Sequence, residues 1–355
     1  MSSSDAIGDV IVSDTRTADV DPKGPLFGAL RFIAGTMVIL SLAFLINAVA
    51  ILWWGWPGAL ETLGALGIPG FGTTSDTPGV SALGIVQLLT YIAPIVTLWI
   101  YIARGGSLVG ESRFYAAFAA FIIRAAFLSA LLIGLADAIV SFLRVEELLA
   151  GVVGEALSSN LNLSTFRGSY VHYPLMVLSL IIAALTRSLS FVWLALLVVL
   201  AEFQIVISRF VFSYEQAFMG DLVRFWYSGL FLIASAYTLI DEGHVRVDVV
   251  YARLSDKARA WSNVAGCILL GFPLCWTILL FGMWSRGSSL TSPLLSFEIS
   301  QSVYGMYVKY LMAGLLVVFA VSMIVQFAGY LLSNAAVLGG ARPERAPTAP
   351  EMATE

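Results

Sequence analysis

Eight stretches of this chain are apolar for long enough to cross a bilayer, and short polar breaks separate them. They cover roughly 29–54, 83–103, 114–137, 171–186, 189–210, 220–240, 263–284 and 305–333. Runs near this length fit helices crossing a hydrocarbon core about 30 Å thick, whereas barrel strands would alternate apolar and polar positions over about ten residues. The fourth and fifth runs are almost continuous. As one helix, 171–210 would be about 60 Å long at about 1.5 Å per residue, and Thr186-Arg187-Ser188 would put a charge at its middle. The pattern predicts a tight hairpin at Arg187 and a short fourth span.

The connections differ in character. Residues 55–82 hold seven glycines and three prolines with no basic residue, which predicts an irregular connector. In 145–157, Val145, Leu148, Leu149, Val152, Val153, Ala156 and Leu157 recur at helical spacing, with Glu146, Glu147 and Glu155 elsewhere. That predicts an amphipathic helix lying on the membrane surface. In 244–262, Val247, Val250, Tyr251, Leu254, Ala258 and Trp261 fall on one stripe, and Ser255 is placed to cap a new helix, so two short pieces are expected. Residues 1–28 and 335–355 read as disordered polar tails, 29–186 as one membrane segment of about four spans, and 187–334 as a second four-span domain.

Composition settles the class. The chain is 59% hydrophobic and 12% charged over 355 residues, with a mean hydropathy of +0.89. Soluble domains run near 45–50% apolar and about 25% charged. A cytosolic enzyme, a secreted disulfide scaffold and a disordered protein are excluded, leaving an all-α integral membrane protein. The start lacks the basic stretch and early apolar run of a cleavable signal peptide. With a cytoplasmic N-terminus, inside segments collect 12 of the 19 basic residues and outside loops four: Arg144, Arg167, Arg209 and Arg286. The bias toward basic inner loops predicts eight spans with both termini in the cytoplasm.

Little in the sequence points to chemistry. Metalloprotease, nucleophile-elbow, Walker and dinucleotide motifs are missing, and Cys267 and Cys275 lie eight residues apart in one apolar run. Only His172 and His244 could serve as imidazole ligands. His244 and Asp248 are four apart beside Asp241 and Glu242, a pattern that reads as a solvated loop rather than a metal site. No catalytic residue, metal, cofactor or nucleic-acid partner is expected. Ionisable residues inside spans are Arg124, Asp137 and Glu202. Arg124 lies about ten residues deep and Glu202 about fourteen, roughly 6 Å apart in depth, so the two are expected to pair. A coupled carrier would show more such groups and helices broken at the midplane.

The stretch 209–254 carries three ordered elements. Arg209-Phe210-Val211-Phe212-Ser213 ends the fifth span, Phe218-Met219-Gly220-Asp221-Leu222 opens the sixth with Arg224 close behind, and His244-Val245-Arg246-Val247-Asp248 follows it. The region 187–334 resembles the DctQ family, the small membrane subunit of tripartite ATP-independent periplasmic (TRAP) transporters. That family shows Arg-Tyr-x-Phe-Asn, then Trp-x-Glu-Glu-Leu, then His-Val-x-Val-Asp. Here Phe210 stands for the Tyr, Ser213 for the Asn, Phe218 for the Trp, and Gly220-Asp221 for the two acids. His244, Val245, Val247 and Asp248 match fully. The resemblance implies an accessory subunit in the bacterial inner membrane. Its partners would be lipid, a large DctM-like permease subunit and a periplasmic solute-binding protein, importing an organic acid on a sodium gradient. It also implies that Arg209, Phe210, Phe212, Phe218, Asp221, Arg224, His244, Arg246 and Asp248 orient the chain at the subunit interface. The competing readings are an autonomous carrier or channel, which needs a polar midplane pathway, and an anchor of a respiratory-type complex, which needs haem-ligating histidines.

Overall fold

The computed structural model describes residue 22 and residues 24–71, 80–186, 192–240, 251–300 and 304–341. Regular structure within them is helical. Eight helices are long and apolar enough to span a membrane: α1 (Pro25–Leu52), α3 (Ala82–Ala103), α4 (Leu108–Val145), α7 (Ser164–Leu185), α8 (Val192–Phe212), α9 (Ala217–Ile240), α10 (Asp256–Met283) and α12 (Lys309–Leu338). Short helices join them: α2 (Ala59–Ala65), α5 (Leu149–Val153), α6 (Glu155–Leu161) and α11 (Thr291–Ser296).

Local chemistry explains the starts. Pro25 opens α1, where its missing N–H costs nothing. Ser81 and Ser107 cap α3 and α4 by accepting from the amides of Gly84 at 3.0 Å and Gly110 at 3.3 Å. Ser255 caps α10 in the same way, through the Ala258 amide at 3.4 Å.

Four elements depart from the pattern-based expectation. The connector 55–82 contains α2. The amphipathic stretch 145–157 is broken at Gly154, whose φ of +84° ends α5 and starts α6. The piece capped by Ser255 does not end: it runs through a π-type turn at Cys267–Gly271 into the seventh span. The fourth span is not short either, because it begins at Ser164 and passes a second π-type turn at Gly168–His172. The hairpin expected at Arg187 lies outside the described residues.

Two antiparallel helices form the centre. α4 packs on α12 along its length, and α1, α9 and α10 pack around that pair. One apolar core joins α1, the start of α4, α10 and the end of α12. A second joins the end of α4, α8, α9 and the start of α12. Small residues let the backbones approach: the Ser112 hydroxyl donates to the Gly329 carbonyl at 2.8 Å, and a Cβ on Gly329 would sit 3.2 Å from the Ser112 carbonyl oxygen. Trp226 of α9 donates its indole N–H to the Ala130 carbonyl at 2.9 Å, with its nitrogen edge close against Gly134. At the other end of α4, Glu111 forms a two-point ion pair with Arg31 of α1.

Candidate functional site

Asp137, Ser141 and Arg144 follow one another at i, i+4 and i+7 near the end of α4, so they share a helix face. Two other elements meet that face: the start of α7, which brings Arg167 and His172, and residues 304–308 leading into α12. The polar groups close into a buried network. One oxygen of Asp137 accepts from Arg167 Nη1 at 2.9 Å and from His172 Nε2 at 3.2 Å. Its other oxygen accepts from the Tyr307 amide at 2.7 Å. His172 Nδ1 and the Tyr310 hydroxyl share a hydrogen bond of 2.8 Å, so both imidazole nitrogens have a partner. Arg167 also donates to the Leu161 carbonyl at 3.0 Å and to the Ser141 hydroxyl at 3.3 Å. Side chains of Asp137, Arg167 and His172 are all 0% exposed.

Tyr307 is the hub of the facing segment. Its ring lies 4.0 Å from the Arg167 guanidinium and 4.7 Å from that of Arg144, and its hydroxyl donates to the Asn162 carbonyl at 3.0 Å. Arg144 donates to the Gly305 carbonyl at 2.7 Å. From the opposite side, Asp221 of α9 accepts from the Met306 amide at 3.1 Å. Consecutive amides are thus held by carboxylates from two different helices. Such an arrangement fixes backbone position and offers no open face to a substrate. Among the described residues no group of three His, Cys, Asp or Glu could hold a metal ion.

Residues 195–329 match the family described as tripartite ATP-independent periplasmic transporters, DctQ component. They are a DctQ domain. No curated protein and no solved structure matches the chain. DctQ is a transporter-component family, and it indicates the small membrane subunit of a TRAP transporter. With eight apolar helices, the DctQ domain indicates a multi-pass inner-membrane protein. The DctQ domain takes in α8, α9, α10, α11 and most of α12, while α1 to α7 precede it. The buried network crosses that boundary: Asp137, Arg144, Arg167 and His172 come from the preceding helices, and Asp221, Tyr307 and Tyr310 from the DctQ domain.

The motif residues of the DctQ domain do not converge on one point. Phe218 is buried and meets Phe142 edge-on at 6.3 Å, and Asp221 grips the 304–308 segment. Arg224 reaches 3.5 Å from Asp221 with its side chain in the open. Phe210 and Phe212 are 78% and 72% exposed, and Arg209 pairs with Glu215 at 3.4 Å on the surface. Asp221, Arg224 and Glu215 line a cleft of about 280 Å³ between the end of α8 and the start of α9. Next to it, the Tyr214 hydroxyl donates to Glu146 at 2.6 Å, and burial with this acidic neighbour pushes its phenol up to about 12. His244, Arg246 and Asp248 lie outside the described residues.

Two sequence expectations change here. Arg124 and Glu202 form no ion pair: α8 packs on α9, and Glu202 points away from the bundle. Arg167, expected as an outer-loop charge, is wholly buried because α7 starts three residues before it. The spacing of Asp137, Ser141 and Arg144 was a readable signal of a polar helix face. Arg167, His172 and Tyr307 carried none, since their partners are distant in sequence.

Proposed function

We propose that this chain is the accessory subunit of a sodium-coupled TRAP transporter that imports an organic acid. It braces a large DctM-like permease subunit to which a periplasmic solute-binding protein delivers the substrate. The DctQ match over 195–329 carries this reading. The polar chemistry supports it, because the buried ionisable network ties backbone segments at one end of the bundle instead of lining a midplane path. The N- and C-termini lie in the cytoplasm on the positive-inside distribution of Lys and Arg.

Reconstitution into liposomes with a sodium gradient and the matching binding protein tests the function. Uptake is expected only with the large subunit present, and it should fall sharply when this chain is left out. Sodium-driven uptake by this chain alone would overturn the accessory role. Topology is tested by single cysteines after replacing Cys267 and Cys275. A cysteine at Ser159 should label from outside whole cells, and one at Lys257 only after lysis; the reverse pattern would invert the orientation.

A further inference from the structure

Glu202 sits at the middle of α8, a helix of 21 residues. At about 1.5 Å per residue it lies about 15 Å from either end, near the midplane of a core about 30 Å thick. The residue is exposed, and it makes no ion pair or hydrogen bond among the described residues. Its surface neighbours on the helix are Val199 at 62% and Val206 at 47% exposure. A glutamate side chain is far too short to reach the interface from that depth. Facing lipid, a charged residue at a helix centre costs roughly 2.5–3.5 kcal/mol even on the mildest scales.

α8 is also one of the two least covered spans, with 11% of its apolar window buried. An uncovered apolar helix with a carboxylate at its centre calls for a partner of opposite charge. A second copy of this chain does not provide one. Symmetric pairing would set Glu202 against Glu202, Arg209 stands at the end of α8 where it pairs with Glu215, and Arg224, two turns into α9, is engaged by Asp221. Arg124 belongs to α4, at the centre of the bundle.

We infer that the face of α8 around Glu202 docks a transmembrane helix of the large permease subunit that presents a Lys or Arg at mid-membrane depth. This rests on the accessory reading above. Polar contacts between membrane helices suffice to set partner and register, because lipid removes the hydrophobic drive for association.

The test uses the full chain co-expressed with the large subunit in the native membrane. Glu202→Leu should reduce the co-purified large subunit by roughly three- to twentyfold, the range of measured polar contacts between membrane helices, with Glu202→Gln in between. A benzoyl-phenylalanine crosslinker at position 202 should form its adduct with the large subunit. Because 202 is exposed in the isolated chain, both substitutions should leave its thermal unfolding unchanged. Wild-type recovery of the large subunit by Glu202→Leu, or adducts only with lipid or with a second copy, would overturn this inference while leaving the accessory role standing. A wild-type chain that retains no large subunit would overturn both.

Discussion

Asp137 accepts hydrogen bonds from a guanidinium, an imidazole and a backbone amide with no exposure to solvent. In such a setting the loss of one partner is worse than the loss of both, since the survivor keeps its desolvation cost. Arg167→Met should destabilise the protein by about 3–5 kcal/mol, read as a large drop in the detergent unfolding temperature. Adding Asp137→Asn should recover part of that loss. A double variant as unstable as the sum of the singles would show that the pair does not act as a unit. Tyr214 gives a pH-dependent counterpart outside the spans. Its phenol is raised on folding from the ordinary 10.0 to about 12, so its link to Glu146 contributes fully below pH 10 and is lost as pH climbs toward 12. The difference in ultraviolet titration between wild type and Tyr214→Phe should show one phenol ionising near the top of that window. Single residues were the least legible scale in the sequence. Asp137 was visible as an ionisable group in a span, and its alignment with Ser141 and Arg144 could be read from spacing. That Arg167 belongs with them depends on Leu161 and Tyr307, one brought by a neighbouring turn and the other by the far end of the chain.

At the level of the helix, the sequence was much more legible, because about 20 apolar residues in a row admit few structures in lipid. The errors fall where polar residues continue a helix. The pattern started the third span at 114, yet α4 begins at Leu108, with Ser107 as its cap and Arg31 neutralising Glu111. The polar turns after Ser255 suggested a surface piece, yet they are the start of α10, which continues through the π-type turn at Cys267–Gly271. Contacts between helices depend on small residues in the same way. A Cβ on Gly134 would stand 2.3 Å from the indole nitrogen of Trp226. Gly134→Ala should therefore push α9 off α4, break the Trp226–Ala130 hydrogen bond and cost about 1–3 kcal/mol. A red-shifted tryptophan emission with a lowered unfolding temperature would check it, and an unchanged spectrum would show that the indole simply slides.

Across the whole molecule, the helices that precede the DctQ domain are built into it. α4 supplies half of the central pair, and the same network closes on both sides of the boundary. Residues 187–355 expressed alone should aggregate in mild detergent, and co-expression with 1–186 should restore a monodisperse complex. A monodisperse DctQ half with wild-type unfolding would mean that the first helices are an addition the domain does not need. No linear pattern could show this intimacy, since composition marks a span but not its neighbours. The central pair also sets the order of biogenesis. α12 is the main neighbour of α4, and at about 5–20 residues per second the ribosome completes it on the order of ten seconds after α4. Through that interval Asp137 and Arg144 stand in the membrane without the 304–310 segment they hold in the finished fold. A nascent chain that stops short of α12 presents an open polar flank to the quality-control proteases of the membrane. α12 therefore acts as a seal on the helices made before it.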